Sequence, residues 1–487
     1  MKAPAAETAV RLGLAAVFVL GALLALFGLG TAKMLAIGAA FAALAWFLRG
    51  KTARAEPAAA WIRRHPVRAL GLVLALGLAL RAAYFFGHLH ADPGSFQPGD
   101  GTVFYAEALE MASGHFPETK SWVAVGAYAL SLRLFGASYI PPCVLNVLLQ
   151  TACAVLLWAF GRRLHGPVAA ALAAFAFFVS PQFAGSSFHL CAEHFFFPLV
   201  LLQYLLLARW LARRSLSCAA ASAVAGLLAL WTKPDAGILS LASVAFVFAC
   251  DALLWREGRK RVLAGVAVAL AVVACGLGTA RRVNRTWHGT STFLCSEDGL
   301  WPRYFGANPA TGGLARLEDK LALYDAYRRK TGTALPFRHN HCPAELAPFV
   351  REEIRRRWAS MPFAGKVRLV LSKEAYSWQT VWTPVRGTVP AKLHAMFKVA
   401  VWLAAAWTLL GLSRRCAAAG RVEPADILRA LPVLYLLGMA VCIVFVEGNI
   451  RYSLCANVFL PLHAGAPGER IPDTADAARG SRQGRKR

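Results

Sequence analysis

Long apolar runs separated by short polar stretches dominate the chain. A run of about 20 apolar residues is long enough to cross a bilayer as a helix. The pattern therefore predicts an all-α polytopic membrane protein with about 11–12 transmembrane helices. The predicted spans are Val10–Gly30, Ala32–Leu48, Val67–Gly87, Ile140–Phe160, Val168–Phe183 with a break at Ser180-Pro181, Leu190–Leu207, Cys218–Trp231, Ala236–Leu254, Val262–Gly278, Val399–Leu412, Ile427–Val446 and the short Ser453–Ala464.

The short loops between these spans are basic, as at 49–68, 162–163, 209–214 and 256–261. An excess of Lys and Arg in short loops marks the cytoplasmic side. We therefore expect both termini in the cytoplasm and the longer polar stretches outside, as in a multi-pass protein of the cell (inner) membrane. The predicted organisation is residues 1–66 as extra helices with a basic loop, 67–280 as a membrane core with a first outer loop at 88–139, 281–395 as an outer insertion, 396–464 as C-terminal membrane helices and 465–487 as a basic cytoplasmic tail.

Three further helices are predicted outside the spans. Trp122–Phe135 is mostly apolar but too short to cross, which favours a helix lying in the membrane interface on the outer face. Leu314–Lys330 and Ala344–Trp358 have helical spacing with charged faces, so the insertion is expected to be mainly helical.

Composition excludes a soluble globular domain, because 57% of the residues are hydrophobic, only 16% are charged and the mean hydropathy is +0.48. The formal charge is +27. Much of it lies in the short basic loops, which indicates lipid phosphates rather than nucleic acid as the anionic partner. The 11 cysteines show no metal-ligand spacing. Cys295 and Cys342 lie in the insertion, where an oxidising compartment permits a bridge and two free thiols are the equal alternative.

The first polar, turn-rich stretch after the N-terminal apolar region is Gln97-Pro98-Gly99-Asp100-Gly101. Pro-Gly and Asp-Gly mark a turn, and a helix is predicted from Thr102 to about Ala112. Asp100 therefore lies where a turn meets a helix. It is either a helix cap, which these residues alone favour, or a carboxylate that serves chemistry at the membrane surface.

Several ionisable groups are predicted at the outer ends of membrane helices, where charge is costly and tends to mark function. For each one alone, snorkelling or local pairing is the simpler explanation. Together they place both signs of charge near one outer cavity. No metal site is predicted from His189, His194, His339 or His341. His339 and His341 come closest to ligand spacing, but two His at i,i+2 do not share a helix face and no acidic partner is evident nearby. The ionisable groups are Arg81, Asp100, Glu193, Lys233, Asp235, Arg281, Arg282, Glu447 and Arg451.

From Leu70 to Leu462 the order of these pieces resembles the GT-C glycosyltransferases of the protein-mannosyltransferase and aminoarabinose-transferase superfamily. Three positions depart from the pattern of that family: Phe104 stands where Tyr is usual, Gly101 where a second acid often follows, and Ala307 where Asn is expected. The matching pieces are Asp100…Phe104-Tyr105…Ala108…Gly114, Leu134-Phe135-Gly136 with Asn146, Ser180-Pro181 with Glu193, Gly226…Thr232-Lys233-Pro234, Arg282-Val283-Asn284 with Gly306 to Gly312, and Arg451-Tyr452.

The resemblance implies a membrane enzyme that transfers a sugar from a polyprenyl-phosphate carrier to lipid A, a glycan or a protein, with Asp100 as the general base. It implies no nucleotide, nucleic acid or other cofactor, and a divalent metal is not supported. The alternatives are a polysaccharide or lipid transporter and an inactive scaffold of the same fold. Fixed cations are expected to hold the carrier phosphate. The candidates are Lys233, Arg281, Arg282, Arg451 and, more weakly, Lys120, with Arg81, Tyr105, Glu193, Asn308 and Tyr452 in substrate-binding or structural roles.

Overall fold

The computed structural model describes residues 52–91, 100–119, 121–254, 259–289, 293, 300–337, 342–379, 411–412, 416 and 422–445. These residues are mainly helical and include no strand, so the predicted all-α class is confirmed. Three predicted spans lie outside the described residues: Val10–Gly30, Ala32–Leu48 and Ser453–Ala464. Of a fourth, Val399–Leu412, only the last two residues are described.

The helices are numbered here in chain order. They are α1 (Thr52–Arg64), α2 (Pro66–Ala91), α3 (Asp100–Ala112), α4 (Trp122–Phe135), α5 (Ile140–Phe178), α6 (Pro181–Ser186), α7 (Glu193–Arg213), α8 (Leu216–Thr232), α9 (Pro234–Leu254), α10 (Arg259–His288), α11 (Leu300–Gly306), α12 (Leu317–Thr331), α13 (Ala347–Ser360), α14 (Phe363–Gln379) and α15 (Pro424–Phe445), with a 3-10 turn at Pro309–Thr311.

Six of the described helices are long and apolar enough to cross a membrane. A helix satisfies its own backbone hydrogen bonds, which is what the hydrocarbon core of a bilayer requires. Two shorter apolar helices, α4 and α8, accompany them. The chain is therefore a multi-pass membrane protein. The six helices are Pro66–Gly87, Ile140–Phe178, which consists of two legs, Glu193–Arg213, Pro234–Leu254, Arg259–His288 and Pro424–Val444.

Helix α5 is a hairpin of two helical legs. Gly166 interrupts it with φ 82° and ψ 177°, a backbone conformation that favours glycine, and Pro167 follows. Arg81 donates hydrogen bonds to the Gln150 side chain in the first leg and to the Phe178 carbonyl at the end of the second. In one straight helix these residues would be about 42 Å apart. The legs are therefore antiparallel, as predicted, although the second ends at Phe178 rather than Phe183.

The helices alternate in direction as the apolar pattern predicts. The first leg of α5 and α7 run side by side in the same direction, with Phe160 packed on Tyr204 at 5.6 Å between ring centroids. At one end of the bundle, the Arg214–Asp251 ion pair joins α7 to α9 at 2.8 Å, and Arg429 of α15 donates to the Leu164 carbonyl at 3.0 Å. The opposite end, where α7 begins and α8 ends, is called the site end below.

The predicted insertion contains α11 to α14. Helices α12 and α13 confirm the two predicted helices within three residues, whereas α11 and α14 were not predicted from the sequence. Trp301, Tyr304, Leu323, Leu346 and Val350 form a core within this region. The insertion therefore has an apolar core of its own.

Lys373 of α14 connects the insertion to α15. Its side chain is fully buried, and its Nζ donates to the Val444 carbonyl at 2.7 Å. A cation near the end of a helix also interacts favourably with the helix dipole. Burial lowers the pKa of Lys373 to about 8, although the negative charge of Glu374 opposes this shift.

This lowered pKa predicts a pH dependence of stability. Between pH 8 and the unfolded value near 10.5, the unfolded chain binds more protons than the folded protein at Lys373, so this residue makes the folded state more stable as pH rises. The full gain is on the order of 3 kcal/mol. We expect Lys373→Met to lose this rise in thermal unfolding experiments in detergent between pH 7 and 10.5. Parallel pH profiles for the variant and the wild type would contradict the interpretation.

The sidedness of the bundle is testable by cysteine labelling in intact cells. Leu321 of α12 is exposed, whereas its neighbour Lys320 is buried and unsuitable as a probe. An impermeant maleimide is expected to label Leu321→Cys but not Arg64→Cys, because the basic loop containing Arg64 is predicted to be cytoplasmic. Both should react after permeabilisation. The reverse pattern in intact cells would invert the predicted topology.

Candidate functional site

The start of α3 lies against the segment that links α6 to α7. The structure begins the helix at Asp100 itself, two residues earlier than predicted, and the Asp100 side chain lies outside what the structure describes. A Cβ added at Gly101 would lie 2.9 Å from the Tyr139 hydroxyl oxygen and 3.1 Å from His189 Nδ1. A second acid at position 101 would require these side chains to shift, which gives a physical reason for the glycine.

The aromatic residues of α3 are packing groups. Phe104 is buried and meets Tyr128 edge to face at 6.4 Å between ring centroids. Tyr105 packs against Tyr139 at 5.2 Å. Phe104 thus occupies an apolar cluster with α4 and the start of α7, where a ring without a hydroxyl fits.

The linking segment at 187–192 is not helical, so its backbone groups need other partners inside the bundle. Asn146 Nδ2 donates to the carbonyls of Ser187 and His189 at 3.1 and 3.3 Å. The Tyr128 hydroxyl donates to Asn146 Oδ1 at 2.7 Å and accepts from the Cys191 amide at 3.3 Å. These bonds fix the segment that places His189 beside α3 and Glu193 at the start of α7.

His194 belongs to the same network. Its Nε2 lies 2.9 Å from the Ser186 carbonyl oxygen and 3.1 Å from that of His189, so Nε2 is the donor, and its Nδ1 accepts from Gln150 Nε2 at 3.1 Å. The His194 ring therefore has a structural role, because its hydrogen bonds connect Gln150 to the segment before α7. Among the described residues, no group of three or more His, Cys, Asp or Glu side chains is arranged to hold a metal ion.

Arg81 is 2% exposed, and its guanidinium donates hydrogen bonds to side-chain and main-chain acceptors around it. Its Nε contacts Gln150 Oε1 at 3.0 Å and Ser187 Oγ at 3.1 Å, and its Nη1 contacts the carbonyls of Gly77 and Phe178 at 2.9 and 2.6 Å. The guanidinium also lies 3.9 Å from the centroid of the Phe178 ring. Of the two roles predicted for Arg81, substrate binding and structure, these contacts support the structural one.

Glu193 and Lys233 form a buried ion pair at the site end. Lys233 Nζ lies 2.5 Å from Glu193 Oε1, and the two side chains are 15% and 6% exposed. Glu193 is the first residue of α7, where a carboxylate interacts favourably with the helix dipole. Lys233 leaves α8 with non-helical φ and ψ, and Pro234 starts α9. The structure thus brings together two residues that the sequence predicts separately.

Arg281 and Arg282 lie on α10, which continues to His288, ten residues beyond the predicted end of the span. Both are exposed, and the Arg281 guanidinium lies 5.3 Å from the Phe293 ring centroid. Arg285, one turn further on, is also exposed. Outside the described residues lie the predicted site residues Lys120, Arg451 and Tyr452, together with Glu447. Cys295 is also outside them, so the Cys295–Cys342 bridge stays a prediction.

Asn308 caps a turn in the insertion. Its Oδ1 accepts from the Ala310 amide at 3.0 Å, and its Nδ2 donates to Asp319 Oδ2 at 2.7 Å. Asp319 also contacts Arg357, whose guanidinium donates to the Tyr304 hydroxyl at 2.7 Å. Asn308 is therefore part of a network that holds the insertion together.

Sequence reasoning missed the buried amide Gln150, and it named Asp235 among the charges near the outer cavity without giving it a role. The available signal was the same for both: a polar residue within or beside an apolar span is costly and has a specific reason to be there. For Gln150 the reason is the contact with Arg81 described above. Asp235 is treated below.

Residues 121–277 match the family model of dolichyl-phosphate-mannose-protein mannosyltransferases. No curated protein matches the chain. The matched segment includes Glu193, Lys233 and Asp235; it begins after Asp100 and ends before Arg281. The resemblance predicted from the sequence is thus confirmed over residues 121–277, which match a family of membrane glycosyltransferases of the GT-C type.

Proposed function

We propose that the protein transfers a sugar from a polyprenyl-phosphate donor to an acceptor on the outer face of the inner membrane. The observation that carries this proposal is the match over residues 121–277, because the description of the family names dolichyl-phosphate-mannose, a sugar linked to a lipid phosphate. Lipid A, another glycan or a protein is the proposed acceptor. The gathering of charged residues at one end of an apolar bundle supports an active site there.

The proposed reaction is a substitution at the sugar carbon bonded to the phosphate. The oxygen of an acceptor hydroxyl forms a bond to that carbon, the bond from the carbon to the phosphate oxygen breaks, and polyprenyl phosphate leaves. Asp100 takes the proton of the acceptor hydroxyl as the general base. Its proposed role is supported by its place at the start of α3, a rigid element packed against α4.

Cations stabilise the charge that develops on the leaving phosphate. Lys233 is suited to this role because an ammonium group carries a positive charge and N–H donors, and its ion pair with Glu193 holds it at the site end. Arg281 and Arg282 are exposed and can each bind phosphate with two donors. Arg451 and Lys120 complete the proposed set. The interfacial helix α4, with Leu130, Leu134 and Phe135 exposed, offers the lipid carrier an apolar surface, and no cofactor is required.

A transfer assay with purified protein tests this proposal. The protein in nanodiscs is incubated with a panel of radiolabelled polyprenyl-phosphate hexoses and pentoses and with membrane extract as the source of acceptor. We expect label to move from the carrier to an acceptor fraction and free polyprenyl phosphate to appear in equal amount. A transporter would move the intact carrier across vesicles without cleaving it, and an inactive scaffold would do neither.

A further inference from the structure

The turn between α8 and α9 is tightly built. The Lys233 amide donates to the Ala229 carbonyl at 2.9 Å, and its own carbonyl accepts from the Gly237 amide at 2.7 Å. A Cβ at Gly237 would lie 2.3 Å from Leu230 Cα, so the start of α9 lies directly against the end of α8. Pro234 fixes the first residue of α9 in a helical φ. Asp235, the second residue of α9, is therefore held on a rigid element.

Asp235 is a half-buried carboxylate at the site end. Its carboxylate has neither an ion pair nor a hydrogen bond in the part of the chain that the structure describes, whereas its main-chain carbonyl accepts a weak bond from Cys442 Sγ at 3.8 Å. The more deeply buried carboxylates in the bundle have partners, such as Glu193 with Lys233 and Asp251 with Arg214. A half-buried carboxylate without such a partner keeps its oxygens available as hydrogen-bond acceptors for a ligand.

We propose that Asp235 binds hydroxyl groups of the donor sugar, an inference that rests on the proposed function. The sugar is bonded directly to the carrier phosphate, so groups close to a phosphate-binding cation lie within reach of the sugar ring. Lys233 is the proposed cation and lies two residues before Asp235. An ionised carboxylate has two oxygens that accept hydrogen bonds, which matches a pair of neighbouring sugar hydroxyls. The ion pair that Lys233 makes in this structure is with Glu193 rather than with Asp235.

The simpler alternative is that Asp235 only stabilises the start of α9, since an acid in the first turn of a helix interacts with its dipole. The two roles differ in their dependence on the sugar. A sugar-binding carboxylate affects only ligands that carry a sugar, whereas a carboxylate that stabilises α9 affects sugar-bearing and sugar-free carriers alike. The comparison of these two ligands therefore separates the roles.

The test measures binding of polyprenyl-phosphate sugars and of sugar-free polyprenyl phosphate to the full chain in nanodiscs. The hexose or pentose that the wild type prefers over the bare carrier is used as the probe. Asp235→Asn is expected to weaken binding of this probe by about 10- to 100-fold, the effect of losing hydrogen bonds to a charged group. Binding of the bare carrier should be unchanged. Glu318→Gln, which removes an exposed first-turn acid from α12, is the control and should change neither affinity.

Equal loss for both ligands, or no loss for the probe, would overturn the role of Asp235 while leaving glycosyl transfer in place. Failure of the proposed function would look different, because the wild type would then bind the sugar-bearing and the bare carrier with the same affinity and transfer no sugar.

Discussion

Lys233→Met is expected to destabilise the protein by about 3–5 kcal/mol, because it leaves Glu193 buried without its counter-charge. Both side chains of this pair are largely shielded from solvent, at 15% and 6% exposure, so solvent screening of their interaction is weak. Thermal unfolding in detergent, compared with the wild type at the same pH, measures the effect. A loss below about 1 kcal/mol, as is typical of exposed ion pairs, would show that the pair is solvated in the membrane protein.

The double variant Glu193→Leu/Lys233→Met separates stability from chemistry. Apolar residues of similar size in place of both members of a buried ion pair are often neutral or stabilising, so the double variant should regain most of the lost stability. It should not regain sugar transfer, because the charge of Lys233 that is proposed to bind phosphate is still missing. Recovery of both would show that the pair only holds α7 and α8 together.

The Arg214–Asp251 pair at the opposite end of the bundle provides a matched control. It is also largely buried, and Asp251 accepts from Trp210 Nε1 at 3.0 Å as well. Arg214→Met is expected to destabilise the protein in the same way. Arg214→Met/Asp251→Asn removes the buried charges but keeps an acceptor for Trp210, and it should restore stability and transfer together.

The sequence predicted the helices well where a span is continuous and apolar. Helices α2, α8 and α9 follow the predicted segments within about two residues at most of their ends, because hydropathy alone decides where such helices lie. Helix α4 has the predicted bounds because Gly136, with φ 93°, ends it. The charged helices α12 and α13 were found by their periodicity. Helix α14 was missed because its charged residues, among them the buried Lys373, interrupt the apolar pattern.

The candidate site was harder to predict, because it depends on contacts between distant parts of the chain. Glu193 and Lys233 are 40 residues apart, and only the packing of α7 on α8 makes them partners. Gly101 departs from the family pattern in the sequence, but the nearby Tyr139 and His189 side chains explain it only in three dimensions. The sequence places Arg81 among the charges at the outer ends of the membrane helices. In the structure it is surrounded by Gln150, Ser187 and main-chain carbonyl groups.

Asp100→Asn is expected to lower the transfer rate by about 10²- to 10⁴-fold, the usual contribution of a positioned general base, because an amide cannot accept the proton of the acceptor hydroxyl. A helix cap predicts the opposite result, since Asn and Asp are about equally good at capping. The helix that begins at Asp100 should therefore form in the variant, and expression and thermal unfolding should match the wild type.

Glu110→Gln, which removes an exposed acid from the same helix, is the control and should retain wild-type transfer. Single-turnover transfer with the donor bound in advance measures the chemical step. Wild-type turnover by a well-folded Asp100→Asn protein would assign Asp100 to the cap and place the base elsewhere at the site end.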